Sequence, residues 1–196
     1  RLLKFLGVKV NIKKINNSRN EIELNGPIEI KSKNIEVAGD PSSASFFVVG
    51  ALIIPNSKII LKNIMLNPSR IAFLKILKKM GGKIKIKKTK KICGEEVGSI
   101  TAEYSKLKGI KIPSSSSAFL IDEYPILSIA ASQAKGKTVM KGLNELRYKE
   151  SDRIKSIIYN FKNLGIDAHE KNNNLSINGK KLELEKSIKI KSFDDH

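Results

Sequence analysis

The apolar positions change period several times along the chain, and each change marks an element. Arg1–Gly7 reads as the tail of a helix stopped by a glycine. Short alternating or β-branched runs then predict strands at Val8–Ile15, Glu21–Leu24, Ile28–Ile30 and Asn34–Val37, with a turn at Asn25-Gly26-Pro27. Asp40 stands where an N-cap belongs, and Pro41 suits the first helical position. The helix expected from there to about Ile54 is apolar nearly all round, the pattern of a buried helix. Pro55-Asn56-Ser57 ends it, and Lys58–Asn63 reads as a strand. A second helix, from Asn67-Pro68-Ser69 to Met80, carries one apolar face and stops at Gly81-Gly82. Strands are expected near 83–88, 91–93, 98–103 and 108–112.

The same order then recurs. A mostly apolar helix opens at Asp122 and runs through Pro125 to Ser132. Gly136 follows, then a strand at Lys137–Lys141. An amphipathic helix covers Ser151–Leu164, closed by Gly165, and strands come near 166–169 and 174–177. Matching features lie 79 residues apart (Ala51 with Ala130, Asn63 with Gly142), 83 apart (Arg70 with Arg153) and 84 apart (Gly81 with Gly165). A third copy begins at Ile188-Lys-Ile-Lys-Ser-Phe-Asp-Asp195. The unit is β-α-β-α-β-β, so the fold class is α/β, built of similar subdomains rather than as a thin solenoid. The chain opens on Arg1 and stops within the third copy, so it is expected to be an internal fragment.

Composition narrows the function. Among 196 residues, 40% are hydrophobic and 29% charged, which is globular composition. The longest apolar stretch, Phe46 to Ile54, is far shorter than the roughly 18–20 residues of a membrane span. One cysteine, Cys93, excludes a disulfide scaffold and a Cys-based zinc site, and two histidines argue against a His-rich metal site. The net charge of +18 raises the alternative of a basic nucleic-acid-binding module. Against it, only five of the 37 basic residues are arginine, the lysines are scattered, aromatics are 6%, and no stacking motif is present. Such a surface still steers small anions.

Two features carry chemistry. Each copy places an aspartate (Asp40, Asp122, Asp194) ahead of a helix, and clustered helix N-termini suit an anion. Ordinary N-capping explains the same aspartates equally simply, except that Asp122-Glu123 stacks two acids where a cap needs one. The second feature is Arg147-Tyr-Lys-Glu-Ser-Asp-Arg153, with five charged residues in seven. It is either a solvated charge run or an anion site. A cation in the first turn of a helix opposes the helix dipole, so Arg153 is better explained by an anion to hold.

Asp40-Pro-Ser-Ser-Ala-Ser-Phe-Phe47, Leu120-Ile-Asp-Glu-Tyr-Pro125, Leu146-Arg-Tyr-Lys-Glu-Ser-Asp-Arg-Ile154 and Ser192-Phe-Asp-Asp-His196 closely resemble the 5-enolpyruvylshikimate-3-phosphate synthase family, over essentially the whole chain. The resemblance implies an inside-out α/β prism of repeated β-α-β-α-β-β units, incomplete here. Residues 1–38 would be the end of a first domain. Residues 39–196 would be two units of a second domain plus the truncated start of a third, which leaves apolar helix surface uncovered.

The implied reaction moves the enolpyruvyl group of phosphoenolpyruvate to the 5-hydroxyl of shikimate 3-phosphate and releases phosphate. By the same resemblance, Asp122 holds the ring hydroxyls and accepts the 5-hydroxyl proton. Lys149 contacts shikimate 3-phosphate, Glu150 moves a proton to and from the methylene, and Arg153 binds the phosphoenolpyruvate carboxylate. No metal or organic cofactor is implied. The expected full-length protein is a cytoplasmic monomer of the shikimate pathway, with glyphosate competing for its phosphoenolpyruvate site and with no nucleic-acid or membrane partner. Other substrate-binding residues of the family fall upstream of Arg1, and an arginine would directly follow His196. This chain has Glu145 where some relatives carry Asn. The 196 residues alone are therefore expected to be inactive. The sister family, UDP-N-acetylglucosamine enolpyruvyl transferase, shares the fold but not the Lys149–Arg153 motif.

Overall fold

The computed structural model describes residues 1–16, 19–180 and 187–195. A short helix α1 (Leu2–Phe5) leads into a hairpin of β1 (Val10–Lys14) and β2 (Asn20–Leu24), which pair antiparallel with each other alone. Two units of like winding follow. The first holds α2 (Pro41–Ile53), β3 (Lys58–Met65), α3 (Ala72–Lys79), β4 (Lys83–Ile92) and β5 (Glu95–Glu103). The second holds β6 (Lys111–Ile112), a 3-10 turn at Ser114–Phe119, α4 (Tyr124–Ser132), β7 (Gly136–Met140), a 3-10 turn at Asn144–Tyr148, α5 (Arg153–Asn163), β8 (Asp167–Lys171) and β9 (Asn174–Gly179).

The repeat read from the sequence is also a repeat of topology. In the second sheet the order is β6-β7-β9-β8, with β6 parallel to β7 and the last strand inserted antiparallel between the other two. In the first sheet the order is β3-β5-β4, and Gly39 bridges Ile64 in parallel, in the place that β6 takes in the second. Asn63 and Gly142, matched in the sequence, both take positive φ (57° and 73°), as do Gly81 and Gly165. The β4–β5 hairpin turns on Cys93-Gly94 and the β8–β9 hairpin on Asn172-Asn173, with φ positive at both residues of each turn. Such two-residue turns match the right-handed twist of the strands they join.

The helices form the inside. α2 packs against α4, β3 and β5, and α4 packs against β9. Val48, Val49 and Leu52 of α2, Phe73, Leu74 and Leu77 of α3, and Leu127, Ala130 and Ala131 of α4 meet Ile100 and Ala102 of β5 and Leu175 and Ile177 of β9 in one continuous core. Burying a side chain of this kind stabilises the fold by about 1.5–3 kcal/mol. Among the described residues no helix is long and apolar enough to cross a membrane.

Asp40 caps α2, accepting from the backbone N–H groups of Ser43 (2.8 Å) and Ser42 (3.2 Å). Burial alone pushes its carboxyl up, but these hydrogen bonds and Arg70 outweigh it and hold the group below the usual carboxylate range. Asp40→Ala should therefore lower stability by about 1 kcal/mol in a thermal melt. Because the folded form holds the proton less tightly than the unfolded one, the wild-type advantage is full above the ordinary carboxylate range. It is lost as pH falls through the lowered value.

Several expectations are corrected. α2 is not buried all round as its pattern alone suggests, and has the uncovered apolar surface expected of it: Phe46 and Phe47 are 62% and 60% exposed, because the described residues supply packing partners to one side only. Ile28–Ile30 and Asn34–Val37 form no strand, since a β-branched run needs a ladder partner and they pair with none among the described residues. The strands read at 83–88 and 91–93 are one strand, β4, with a register shift between Lys88 and Lys90. Residues 187–195 contain no helix or strand, and Phe193 and Asp194 sit at φ +61° and +56°. That segment instead packs on α5: Asn160 exchanges two hydrogen bonds with the Lys191 backbone, and Phe193 meets Tyr159 edge to face.

Candidate active site

The two acids at the start of α4 diverge. The helix begins at Tyr124, with Glu123 at the cap position, and neither carboxylate caps it. Asp122 lies one residue earlier, in a turn, and its side chain reaches the other end of the unit. Its Oδ1 accepts from Lys149 Nζ at 2.9 Å and faces Arg153 Nη1 at 3.7 Å. The latter is an ion pair beyond hydrogen-bond reach.

The seven-residue charge run divides into two jobs. Arg147 donates Nε to Asn173 Oδ1 (2.8 Å) and Nη1 to Asp152 Oδ2 (2.9 Å), and lies 3.2 Å from Glu170. Asp152 is the N-cap of α5 and accepts from the Lys155 backbone N–H at 3.1 Å. Arg147 and Asp152 thus pin the loop to the β8–β9 hairpin and to the helix it enters. Lys149, Glu150 and Arg153 then meet Asp122.

Arg153 is the hub. It occupies the first position of α5, two residues later than the helix start at Ser151 that the periodicity suggested. Nη2 donates to Glu150 Oε2 (2.9 Å) and Asp195 Oδ1 (2.9 Å), and Nε donates to Asp195 Oδ2 (2.9 Å). Ser151 Oγ donates to the same Asp195 oxygen at 2.7 Å. The Arg153 and Asp195 side chains are only 12% and 11% exposed, so this two-point pair sits where it is little screened. Asp195 first, through its hydrogen bond, then the attraction of Glu150 and Asp122, pushes the guanidinium pKa up against the opposing effect of burial. Arg153 is a permanent cation with an edge turned toward Asp122.

The four residues singled out in the sequence, Asp122, Lys149, Glu150 and Arg153, are therefore one ion-pair cluster. Of the expected aspartate-capped helices, Asp40 caps one and Asp122 does not; only Asp195 is described beyond Asp194, whose backbone N–H donates to Ser192 Oγ (3.4 Å). Sequence reasoning missed Asp195. The signal was the acidic pair in Ser192–His196, of which the repeat singled out Asp194, in line with Asp40 and Asp122. His196 lies outside the described residues. The first unit carries a parallel to the Asp122–Arg153 pair: Arg70 lies 3.7 Å from Asp40.

The family model for EPSP synthase (3-phosphoshikimate 1-carboxyvinyltransferase) matches residues 1–196. The chain belongs to the EPSP synthase family. Among curated EPSP synthases, the 3-phosphoshikimate 1-carboxyvinyltransferase of Clostridium tetani is 44% identical over 196 residues, covering 100% of this chain and 43% of the relative. The enzyme of the same name from Campylobacter jejuni is 46% identical over 185 residues, covering 93% of this chain and 42% of its own length. The chain thus spans well under half of these relatives. Among solved structures, EPSP synthase from Acinetobacter baumannii superposes with a TM-score of 0.83 at 37% identity, over 91% of this chain and 39% of that one. The enolpyruvyl transferase NikO from Streptomyces tendae, at 16% identity and a TM-score of 0.62 over 90% of this chain and 38% of that one, shares the fold. The inside-out prism of enolpyruvyl transferases is therefore the architecture to which these two units belong.

Proposed function

We propose that the protein containing this chain transfers the enolpyruvyl group of phosphoenolpyruvate to the 5-hydroxyl of shikimate 3-phosphate and releases phosphate. The observation that carries this is the cluster itself: two carboxylates, Asp122 and Glu150, flank one guanidinium at 3.7 and 2.9 Å in a chain of this family.

The chemistry needs such a cluster. The hydroxyl oxygen attacks C2 of phosphoenolpyruvate while its methylene carbon gains a proton, so one group must take a proton as another delivers one. Asp122 receives the hydroxyl proton. Glu150 protonates the methylene and, in the second half, takes a proton back from the resulting methyl as the bond from C2 to the phosphate oxygen breaks and phosphate leaves. Arg153 binds the substrate carboxylate, for which a guanidinium fork is the best match among side chains. Lys149, already within 2.9 Å of Asp122, contacts shikimate 3-phosphate beside the reacting hydroxyl.

On the same reading, residues 1–38 close a first domain, residues 39–196 belong to a second, and the protein works as a monomer on small anionic substrates in the cytoplasm. The β1–β2 hairpin, which joins neither later sheet, agrees with a boundary near residue 38. No specific observation favours a UDP-sugar acceptor or a nucleic-acid partner.

The test is phosphate release from phosphoenolpyruvate by the full-length protein. Release should depend on shikimate 3-phosphate and be absent with a UDP-sugar acceptor. The 196-residue chain alone should show none. Release that needs the UDP-sugar instead would replace this reading with the sister transferase.

A further inference from the structure

Glu123 is the single acidic or basic residue among the buried polar side chains of the described residues, at 4% exposure. The chemistry proposed above does not use it. A buried carboxyl costs stability unless it is held by hydrogen bonds, so its place in the core asks for a reason. Its Oε1 accepts from Ser42 Oγ at 2.5 Å, across a sequence separation of 81 residues. Ser42 is itself held: its N–H donates to Asp40 Oδ1 (3.2 Å), and its Oγ accepts from Arg70 Nη2 (3.0 Å). The start of α4 in the second unit is thereby tied to the start of α2 in the first.

Glu123 is also the joint between turn and helix. Its backbone N–H donates to Leu120 O (2.9 Å), and its carbonyl accepts from Leu127 N (2.8 Å). Its neighbour Asp122 points the other way, to Lys149 and Arg153. Fixing the Glu123 side chain against α2 fixes how the turn is rotated, and with it the direction in which the Asp122 carboxylate leaves the chain.

We propose that Glu123 is a positioning residue: its hydrogen bond to Ser42 sets the orientation of Asp122 toward the reacting hydroxyl. The inference rests on the role of Asp122 given under Proposed function. A displacement of about 1 Å in a reacting group can cost on the order of 10²-fold in rate.

The experiment is steady-state kinetics of the full-length enzyme with Glu123→Ala, Glu123→Gln, Ser42→Ala, Asp122→Ala and the double variant Asp122→Ala/Glu123→Ala. Glu123→Ala should lower kcat by about 10-fold or more and raise KM for shikimate 3-phosphate, leaving KM for phosphoenolpyruvate nearly unchanged. Glu123→Gln keeps the accepting oxygen and should stay within about 3-fold of wild type, because it preserves the hydrogen bond. The double variant should be no slower than Asp122→Ala, since a group acting through Asp122 has nothing left to act on. Should Glu123→Ala fail to fold, Ser42→Ala removes the donor without opening a large cavity and should show the same KM signature. A full loss in Asp122→Ala combined with wild-type kinetics in Glu123→Ala, or in Ser42→Ala where that variant decides, would overturn the inference alone. So would losses that multiply in the double variant. Wild-type turnover in Asp122→Ala would overturn the reading beneath it, and the inference with it.

Discussion

Glu150→Gln in the full-length enzyme should lower kcat for phosphate release by about 10²- to 10⁴-fold, with KM for both substrates changed little. Glutamine keeps an oxygen that can accept from Arg153 Nη2, the 2.9 Å contact seen here, so the guanidinium should stay in place. What is removed is the ability to give and take a proton at the methylene carbon. That ability is used only on the way to the transition state, and a loss confined to the transition state appears in kcat rather than in KM. Asp122→Asn should behave alike in kcat, but should also raise KM for shikimate 3-phosphate, because the same carboxylate holds the ring hydroxyls. Retention of more than about a tenth of wild-type kcat by folded Glu150→Gln enzyme would remove Glu150 from proton transfer, given the usual 10²-fold or larger contribution of such a group.

Arg153→Lys should raise KM for phosphoenolpyruvate by about 10- to 100-fold and lower the melting temperature, although the charge is conserved. The guanidinium uses Nε and Nη2 on Asp195, Nη2 also on Glu150, and turns Nη1 toward Asp122. One ammonium is a point donor on a flexible stem and cannot reproduce that fork. The nearly buried Asp195 is left without its two-point partner, and breaking such a pair destabilises by about 3–5 kcal/mol when fully buried. The substrate carboxylate likewise loses a planar match, worth roughly 1.5–3 kcal/mol for a hydrogen bond to a charged group. Titration of phosphoenolpyruvate at saturating shikimate 3-phosphate, with a thermal melt alongside, separates the two effects. An unchanged KM in a stable variant would mean that Arg153 is a structural cation, held by Asp195 for the sake of α5 alone.

Much of the architecture was legible from local pattern. The strand–helix alternation, the glycines that close α3 and α5, the cap at Asp40 and the recurrence of the whole unit all follow from periods of two and 3.6 and from turn chemistry. These depend on residues near one another in the chain. The parallel bridge of Gly39 with Ile64 and of β6 with β7 makes the recurrence real in three dimensions. Where local pattern misled, a partner was the missing information. Ile28–Ile30 and Asn34–Val37 have the composition of strands but pair with no strand among the described residues. α2 has the composition of a fully buried helix and neighbours on one side.

The α/β class, the repeat and the candidate charges Asp122, Lys149, Glu150 and Arg153 are all written in the local order of residues. Their types and motif already pointed to an acid/base pair with cationic clamps. How those charges are shared follows from the packing of the folded chain. That packing assigned Arg147 and Asp152 to holding the loop, and it turned Asp122 from a cap into the partner of Lys149. It put Asp195, not Asp194, behind Arg153, and it sent Glu123 into the core to meet Ser42. The difference is one of range. A cap or a turn is settled within three or four residues, whereas the contacts that orient this cluster join side chains 27, 42 and 81 positions apart, and only the packing of whole units brings them within hydrogen-bond distance.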